Sequence, residues 1–288
     1  MADPAFGGSW TEEKLERVRK YLRAYTTALK KQPFSLAYID AFAGTGHRQV
    51  RPAATQLGFE FVELEEVAKG SARLAIEVDP RFNSYCFIEK NASNFSALCK
   101  LRDEYRDQAQ FMRFFNEDAN DALLRICQEI DWRRWRAVAF LDPFGMSVNW
   151  ATLEAIAATK AIDLWYLFPS HMGVGRMLPK DADIPPAWQQ RLDKALGTRA
   201  WRDHFYREKN RTQATLFAEP DDEFERTFDM TRIEEFMRDR LLSIFAGVGK
   251  RALPLSIKNR PAYHLFFAVG NPRAKELALR IASDILTE

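Results

Sequence analysis

Residues 36–46 read LAYIDAFAGTG, and this stretch decides the class of fold. Its first half is a short apolar run that ends in Asp40, which is typical of a strand buried on both faces of a parallel sheet. Its second half is a loop in which Gly44 and Gly46 allow a tight turn and a close approach of backbone to a ligand. No Gly-Lys-Ser/Thr follows, so the loop is not a phosphate-binding P-loop. We therefore predict a buried strand that leads into a ligand-binding turn.

The same alternation of strand and helix continues along the chain. We predict strands over residues 36–40, 85–89, 111–116, 137–141, 162–168, 252–257 and 263–269, and helices over residues 9–30, 71–78, 93–105, 119–130, 150–159, 232–245 and 273–286. Continuously apolar strands separated by helices indicate an α/β fold with a doubly wound, Rossmann-like parallel sheet. The link over residues 258–260 is too short for a parallel crossover, so we expect the last two strands to be antiparallel.

We assign residues 1–33 to an N-terminal helical segment and residues 34–169 and 231–288 to the core. Two further segments, residues 48–69 and 170–230, interrupt the alternation of strand and helix and suggest insertions into this core. Residues 48–69 contain Pro52, Gly58 and an acidic stretch, so we expect an insertion there that acts as a lid over the site. Residues 170–230 are rich in proline and lack strand character, which predicts a helical insertion.

Composition excludes several classes of protein. The chain has 288 residues, of which 47% are hydrophobic, so it is not disordered. Its 42 Lys and Arg against 40 Asp and Glu give a net charge of +2, so nucleic-acid binding requires a local basic patch. The three cysteines form no CxxC pair and the four histidines lie far apart, so we expect neither a metal site nor a disulfide framework. With no apolar leader or membrane span, we expect a cytoplasmic protein without a membrane partner.

Acidic residues stand at the ends of successive predicted strands, where open α/β sheets bind ligands. Asp40 ends the first strand and Glu89 the second, and Asp118 follows the third. An acid at the position of Glu89 can accept hydrogen bonds from both hydroxyls of a ribose. For Asp118 two interpretations stay open, because an acid there either binds an adenine amine or caps the next helix.

The fourth strand ends in AFLDPFGM, residues 139–146. Asp142, fixed by Pro143, can accept a hydrogen bond from an amine while the ring of Phe144 stacks on a planar group. Asp-Pro and Phe-Gly are also common turn dipeptides. A turn alone does not require Asp142 to align with the other acids, so we favour an amine-binding site. We also consider the segment WRDHFYREKNR, residues 201–211, either as a base-stacking surface or as an amphipathic helix.

The series DAFAGTG, FIEKN, NEDAN and LDPFG resembles the nucleotide-binding motifs of class I S-adenosylmethionine-dependent methyltransferases over residues 36–168. More narrowly, GGSWTEEKLERVRKYLRAY, YIDAFAGTG, GSARLAIEV, FIEKN, LDPFGM, IDLWYLFP and YHLFFAVGNP look like the three-Cys-motif partner proteins, a bacterial family, over nearly the whole chain. This resemblance implies S-adenosylmethionine as cofactor and a three-Cys-motif protein as partner. LDPFG departs from the Asp/Asn-Pro-Pro-aromatic motif of adenine and cytosine amino-methyltransferases and is similar to the Asp-Pro-Phe-Gly of tRNA guanine N2-dimethyltransferases.

The resemblance also implies roles for individual residues. Asp40 and loop residues 43–46 would hold the methionine part of the cofactor, Glu89 the ribose and Asp118 the adenine amine. The full set assigned to the cofactor is Asp40, Phe42, Ala43, Gly44, Gly46, Glu89, Lys90, Asp118 and Ala119. The catalytic residues would be Asp142, Pro143 and Phe144, and the acceptor would contact Gly145. His47 and Arg48 follow the glycine loop, and we assign them to substrate binding, although contact with the cofactor carboxylate and a solvated Arg at the loop edge stay open.

These observations predict an N-methyltransferase that acts on an exocyclic amine, in an RNA or DNA base, by direct displacement of the methyl group. Asp142 and backbone carbonyls would orient the amine, and proximity would supply most of the rate. The alternative is a non-catalytic, cofactor-binding subunit that regulates the three-Cys-motif partner. A nicotinamide-dependent oxidoreductase is disfavoured, because the first loop lacks a GxGxxG pattern leading directly into a helix.

Overall fold

The computed structural model describes residues 9–46, 70–208, 224–257 and 260–287. Within these ranges, eight strands form one sheet. The strands are β1 Ser35–Asp40, β2 Ser84–Ile88, β3 Met112–Phe115, β4 Trp135–Leu141, β5 Ile162–Phe168, β8 Gly247–Val248, β9 Leu253–Ile257 and β10 Arg260–Val269. They lie in the order β3-β2-β1-β4-β5-β10-β8, with β9 also paired to β10. The first five are parallel, and β10 is antiparallel to β5, β8 and β9. The predicted doubly wound sheet with an antiparallel last strand is confirmed.

Helices connect these strands. They are α1 Ser9–Leu29, α2 Ser71–Ile76, α3 Ala92–Leu98, α4 Leu101–Glu104, α5 Ala119–Glu129, α6 Trp150–Ala158, α7 Pro186–Leu196, α8 Trp201–Phe205, α9 Met230–Leu242 and α10 Lys275–Thr287. The single helix predicted over residues 93–105 is divided into α3 and α4, and Leu98 and Leu101 beside the break are both fully buried. Within the four described ranges, no helix is long and apolar enough to cross a membrane.

The sheet is covered on both faces, as its apolar strands require. One buried cluster contains residues of α1, α2 and α10, including Val18, Ala72 and Ala282. The other contains residues of α5, α6 and α9, including Leu123 and Leu153. Each central strand contributes alternate side chains to the two clusters, because successive strand residues point to opposite faces.

Helix α1 packs across one face of the sheet through a stripe of buried side chains that includes Val18, Tyr21 and Leu22. The Tyr21 hydroxyl donates a hydrogen bond of 2.9 Å to Asp163 Oδ2 on β5. Gly270 N donates to Asp163 Oδ1 at 3.0 Å. Burial raises the pKa of Asp163 to about 6, against the opposing effect of these bonds. The α1 helix is therefore attached to the core by polar as well as apolar contacts.

The insertion over residues 170–230 is not purely helical, which corrects the prediction. It contains a π-helical turn over Ser170–Val174, the helices α7 and α8, and an antiparallel pair of short strands, β6 Tyr206–Glu208 and β7 Phe224–Arg226. Thr227 N donates to Phe205 O at 2.8 Å and extends this pairing. Three-residue strands are too short to show a periodic pattern in the sequence.

The segment over residues 201–211 is neither a base-stacking surface nor one amphipathic helix in its described part. Trp201, Phe205 and Tyr206 are buried in the core, and the chain changes from helix to strand at Tyr206. The aromatic residues of this motif are therefore packing residues. The predicted lid, residues 48–69, lies outside the described residues.

Candidate functional site

Three of the predicted acids meet at one edge of the sheet. Strand β1 lies between β2 and β4, with Asp40 paired in register to Phe87 on one side and to Phe140 on the other. Glu89 and Asp142 each stand two residues beyond those partners, at the carboxyl ends of the neighbouring strands. All three are buried. The parallel order of the strands therefore brings them together as the sequence predicts.

Asp40 is fully buried and holds its own loop in place. Its carboxylate accepts hydrogen bonds from Phe42 N at 3.3 Å, from the Tyr38 hydroxyl at 3.4 Å and from the Ser71 side chain. Burial raises the pKa of Asp40 to about 7, the Ser71 hydrogen bond opposes this shift, and the nearby Asp142 reinforces it. With no exposed surface, Asp40 contributes by shaping the glycine loop.

Glu89 joins the glycine loop to the end of β2. Gly44 N donates to Glu89 Oε2 at 2.9 Å, and Asn91 N donates to Glu89 Oε1 at 2.6 Å. Gly44 has a φ of +59°, a conformation that glycine adopts without steric cost. Glu89 therefore holds the glycine loop and the residue before α3 in place from the end of β2.

The other loop residues assigned to the cofactor have packing contacts. Gly46 has a φ of +68°, and a Cβ built there would lie 2.9 Å from Leu101 Cδ1 and 3.0 Å from Leu98 Cδ1. Its lack of a side chain therefore allows α3 and α4 to pack against the loop. Ala43 is fully buried and Phe42 half-buried, each against one of the two apolar clusters.

Asp118 caps helix α5, so the capping interpretation describes its observed contacts. Its Oδ1 accepts hydrogen bonds from Asn120 N at 2.9 Å and from Asn120 Nδ2 at 3.0 Å, and its Oδ2 accepts from Lys90 Nζ at 3.1 Å. Partial burial acts to raise the pKa of Asp118, but these bonds hold it below its usual value. Ala119, the first residue of the helix, is buried. Any role of Asp118 in adenine binding adds to this cap.

Asp142 forms a buried ion pair with a residue that the sequence analysis missed. Lys14 Nζ, on α1, lies 2.5 Å from Asp142 Oδ2, and the side chains are 0% and 2% exposed. Burial acts to raise the pKa of Asp142 and to lower that of Lys14, and the attraction between the two opposes both shifts. Asp142 Oδ1 is buried and accepts no hydrogen bond from any described residue. An unsatisfied buried carboxylate oxygen is costly, so Asp142 Oδ1 is a candidate acceptor for a donor from outside the described residues.

The rest of the LDPFG motif follows Asp142 in the loop after β4. Pro143 is buried, and Phe144 is half-buried against the cluster that contains α1. Gly145 has a φ of +55°, and a Cβ built on it would meet no described atom within 4 Å. His47 and Arg48, which were assigned to the acceptor, lie outside the described residues.

A polar cleft of about 630 Å³ begins at the loop that follows Asp142. Met146, Ser147 and Asn149 of that loop form one wall, and the residues around the start of α5 form another. The third wall is α7, which contributes the side chains of Ala187, Gln190, Arg191 and Lys194. Arg191 and Lys194 are exposed and form no ion pair with a described residue. The described residues contain no group of three or more His, Cys, Asp or Glu that could hold a metal ion.

No protein-family model matches the sequence, and no curated protein matches it either. Solved structures match in fold. Protein LPL1258 from Legionella pneumophila has 12% identity and a TM-score of 0.49, over 97% of this chain and 92% of its own. The putative methyltransferase yhhF from Escherichia coli has 11% identity and a TM-score of 0.31, over 88% and 87%. Magnesium protoporphyrin IX methyltransferase (ChlM) from Synechocystis, solved with bound SAH, has 11% identity and a TM-score of 0.39, over 93% and 89%.

The TM-scores of all three are below 0.5. The strand order and helices of the chain itself show a mixed α/β fold with a mostly parallel central sheet.

Proposed function

We propose that this protein is an S-adenosylmethionine-dependent methyltransferase that acts on an exocyclic amine of a nucleic-acid base, together with a three-Cys-motif partner. The observation that supports this proposal most is the free oxygen of Asp142. It is a buried hydrogen-bond acceptor without a described partner, at the carboxyl edge of the sheet beside Glu89 and the glycine loop.

The residues at this edge fit the proposed cofactor. Glu89 is a buried carboxylate at the carboxyl end of β2, the position at which an acid accepts hydrogen bonds from the two hydroxyls of a ribose. Gly44, at φ +59°, presents backbone without a side chain where the methionine part would lie. When bound, S-adenosylmethionine would supply an electrophilic methyl group: the amine nitrogen would bond to that carbon as its bond to sulfur breaks, S-adenosylhomocysteine would leave, and the methylated nitrogen would lose a proton to solvent. The protein then has to hold, orient and dehydrate the acceptor.

Asp142 performs the orienting step in this proposal. Its Oδ2 is held by Lys14, so the carboxylate cannot rotate away from the site, and its Oδ1 accepts one N–H of the acceptor amine. The half-buried ring of Phe144 lies two residues further along the chain and can stack on the planar group that carries the amine. Fixing the amine in this way converts a bimolecular encounter into a reaction between aligned groups. No covalent intermediate is needed.

The cleft beside α7 supports a nucleic acid as the acceptor molecule. Its wall of Met146, Ser147 and Asn149 follows Asp142 in the chain, and Asp118 beyond β3 also lines it, so a nucleic acid bound there would lie along the carboxyl ends of the strands. Arg191 and Lys194 point free positive charges at this space, and such charges attract phosphate groups. Trp188, on the same helix, is 40% exposed and offers a stacking surface.

The direct test is transfer of a radiolabelled methyl group from S-adenosylmethionine into separated RNA, DNA and protein, with and without the three-Cys-motif protein. We expect label in one nucleic-acid pool with the wild type and none with Asp142→Ala. Label in protein alone would overturn the assignment of the acceptor. Absence of label from every pool, despite measurable cofactor binding and added partner, would instead support the non-catalytic, regulatory subunit.

A further inference from the structure

The charge of the acceptor site is set by two residues from distant parts of the chain. Lys14 and Asp142 lie 128 positions apart in the sequence, yet their side chains form a hydrogen-bonded ion pair with almost no exposed surface. The pair carries no net charge whether the shared proton lies on the lysine or on the carboxylate. Asp142 Oδ1 is buried and accepts no hydrogen bond from a described residue, so it is the acceptor that the pair leaves unused. The site therefore offers a strong acceptor without an excess negative charge.

We infer that Lys14 makes the acceptor site selective for an uncharged N–H donor, such as an aromatic amine or amide, and against an alkylammonium group. The inference rests on the proposed function and narrows its substrate class. A neutral amine satisfies Asp142 Oδ1 and introduces no new charge. An ammonium group bound to the same carboxylate would lie close to the buried ammonium of Lys14, where the low dielectric strengthens the repulsion.

The surroundings of Lys14 leave it little freedom to move away. It lies on the stripe of α1 that faces the sheet, four residues before the buried Val18, and its Nζ is 5.5 Å from the centre of the Phe140 ring. The Tyr21–Asp163 bond attaches the next turns of the same helix. An incoming cation therefore cannot displace Lys14 into solvent without undocking α1.

Among the described residues, Asp40 and Tyr38 of β1 are ionisable groups that also face the pair, and burial raises the pKa of Tyr38 well above its usual value, so its hydroxyl stays neutral. Its charge would favour a cation, so the selectivity has to be measured where Asp40 is mostly neutral. Because the pKa of Asp40 is about 7, a measurement at pH 6 meets this condition. At this pH the aromatic amine of aniline is uncharged and the aliphatic amine of benzylamine is protonated. The two molecules have the same ring and one amino group each, which makes them matched probes.

The experiment measures the affinities of aniline and benzylamine for the full chain by ligand-observed NMR at pH 6. We expect the wild type to bind aniline at least tenfold more tightly than benzylamine. Lys14→Met should reduce this ratio at least tenfold, because the carboxylate then lacks its cation. Lys14→Arg should keep the wild-type preference, and Lys20→Met, an exposed lysine on the same helix, should leave the ratio unchanged.

A second variant tests the inference if Lys14→Met does not fold. Asp142→Asn removes the negative charge of Asp142 beside Lys14, so benzylamine should lose at least tenfold more affinity than aniline. An aniline-to-benzylamine ratio that is the same in the wild type and in both variants would overturn the inference. The radiolabel assay tests the methyltransferase itself, so its failure is separate from a failure of charge selectivity.

Discussion

The α-carbon of Gly197 packs directly against the indole ring of Trp150. Gly197 caps the C-terminus of α7 with a φ of +66°, and Trp150 is the first residue of α6. A Cβ built on Gly197 would lie 2.0 Å from Trp150 Cγ. This close approach holds the insertion against the core. It therefore fixes the wall of the cleft that contains Arg191 and Lys194 relative to the loop that follows Asp142.

Gly197→Ala is expected to destabilise the protein by about 2–5 kcal/mol, because it combines left-handed backbone strain with an overlap that the indole has to relieve. Gly145→Ala is the matched control. It has a similar φ of +55°, but a Cβ there meets no described atom within 4 Å, so only the backbone strain of about 1 kcal/mol applies. Unfolding in urea measures both. Equal losses of stability would show that the contact with Trp150 is unimportant.

Tyr21→Phe is expected to lower the free energy of unfolding by about 1–3 kcal/mol, because it leaves Asp163 Oδ2 buried without its hydroxyl donor. Tyr25→Phe is the control on the same face of α1, since Tyr25 is buried but its hydroxyl makes no hydrogen bond to Asp163. The midpoint of denaturation should be lower for Tyr21→Phe than for Tyr25→Phe. A Tyr21→Phe variant as stable as Tyr25→Phe would mean that α1 docks through apolar contacts alone.

Asp40→Asn should change how stability depends on pH. In the wild type the pKa of Asp40 rises from about 3.9 when unfolded to about 7 when folded, so the folded state binds the extra proton. That contribution is full below pH 4 and is lost as pH rises to 7. The stability of the wild type relative to Asp40→Asn should therefore fall by about 3 kcal/mol between pH 5 and pH 8. A difference that does not vary with pH would show that Asp40 is already ionised at pH 5.

Replacing Arg191 and Lys194 together by alanine should weaken nucleic-acid binding and lower its salt dependence by about two units of slope, one for each lost phosphate contact. Arg133→Ala/Arg134→Ala is the control, because these exposed residues precede β4 at the opposite edge of the sheet. Fluorescence anisotropy at several salt concentrations measures both. A larger effect from the control pair would place the nucleic acid elsewhere on the protein.

Much of the fold follows from patterns that are long enough to read. The apolar strand over Ile162–Phe168 has the predicted bounds, and the acids after parallel strands meet because carboxyl ends share an edge. Strand β8 has two residues and β6 and β7 have three each, so none can show a period. Their pairing depends on tertiary contacts that no local pattern encodes.

The acids of the site were predictable from the sequence, but their hydrogen-bond partners were not. Asp142 and Glu89 are recognisable from the ends of their strands, but the hydrogen bonds they use are set by distant residues. Lys14 had a readable signal: it stands four residues before Val18, on the apolar stripe of α1, and a lysine on a buried stripe requires a buried partner. Which acid would pair with it could not be known before the packing of α1 on the sheet.

The free oxygen of Asp142 is the centre of this account, and Asp142→Asn tests it most directly. The measurement is the affinity for S-adenosylmethionine by calorimetry together with the rate of methyl transfer to the labelled nucleic-acid pool. We predict an affinity within about threefold of the wild type and a transfer rate at least about 100-fold lower, since an orienting hydrogen bond acts on the reacting amine and not on the cofactor. Transfer at the wild-type rate by Asp142→Asn would contradict the account.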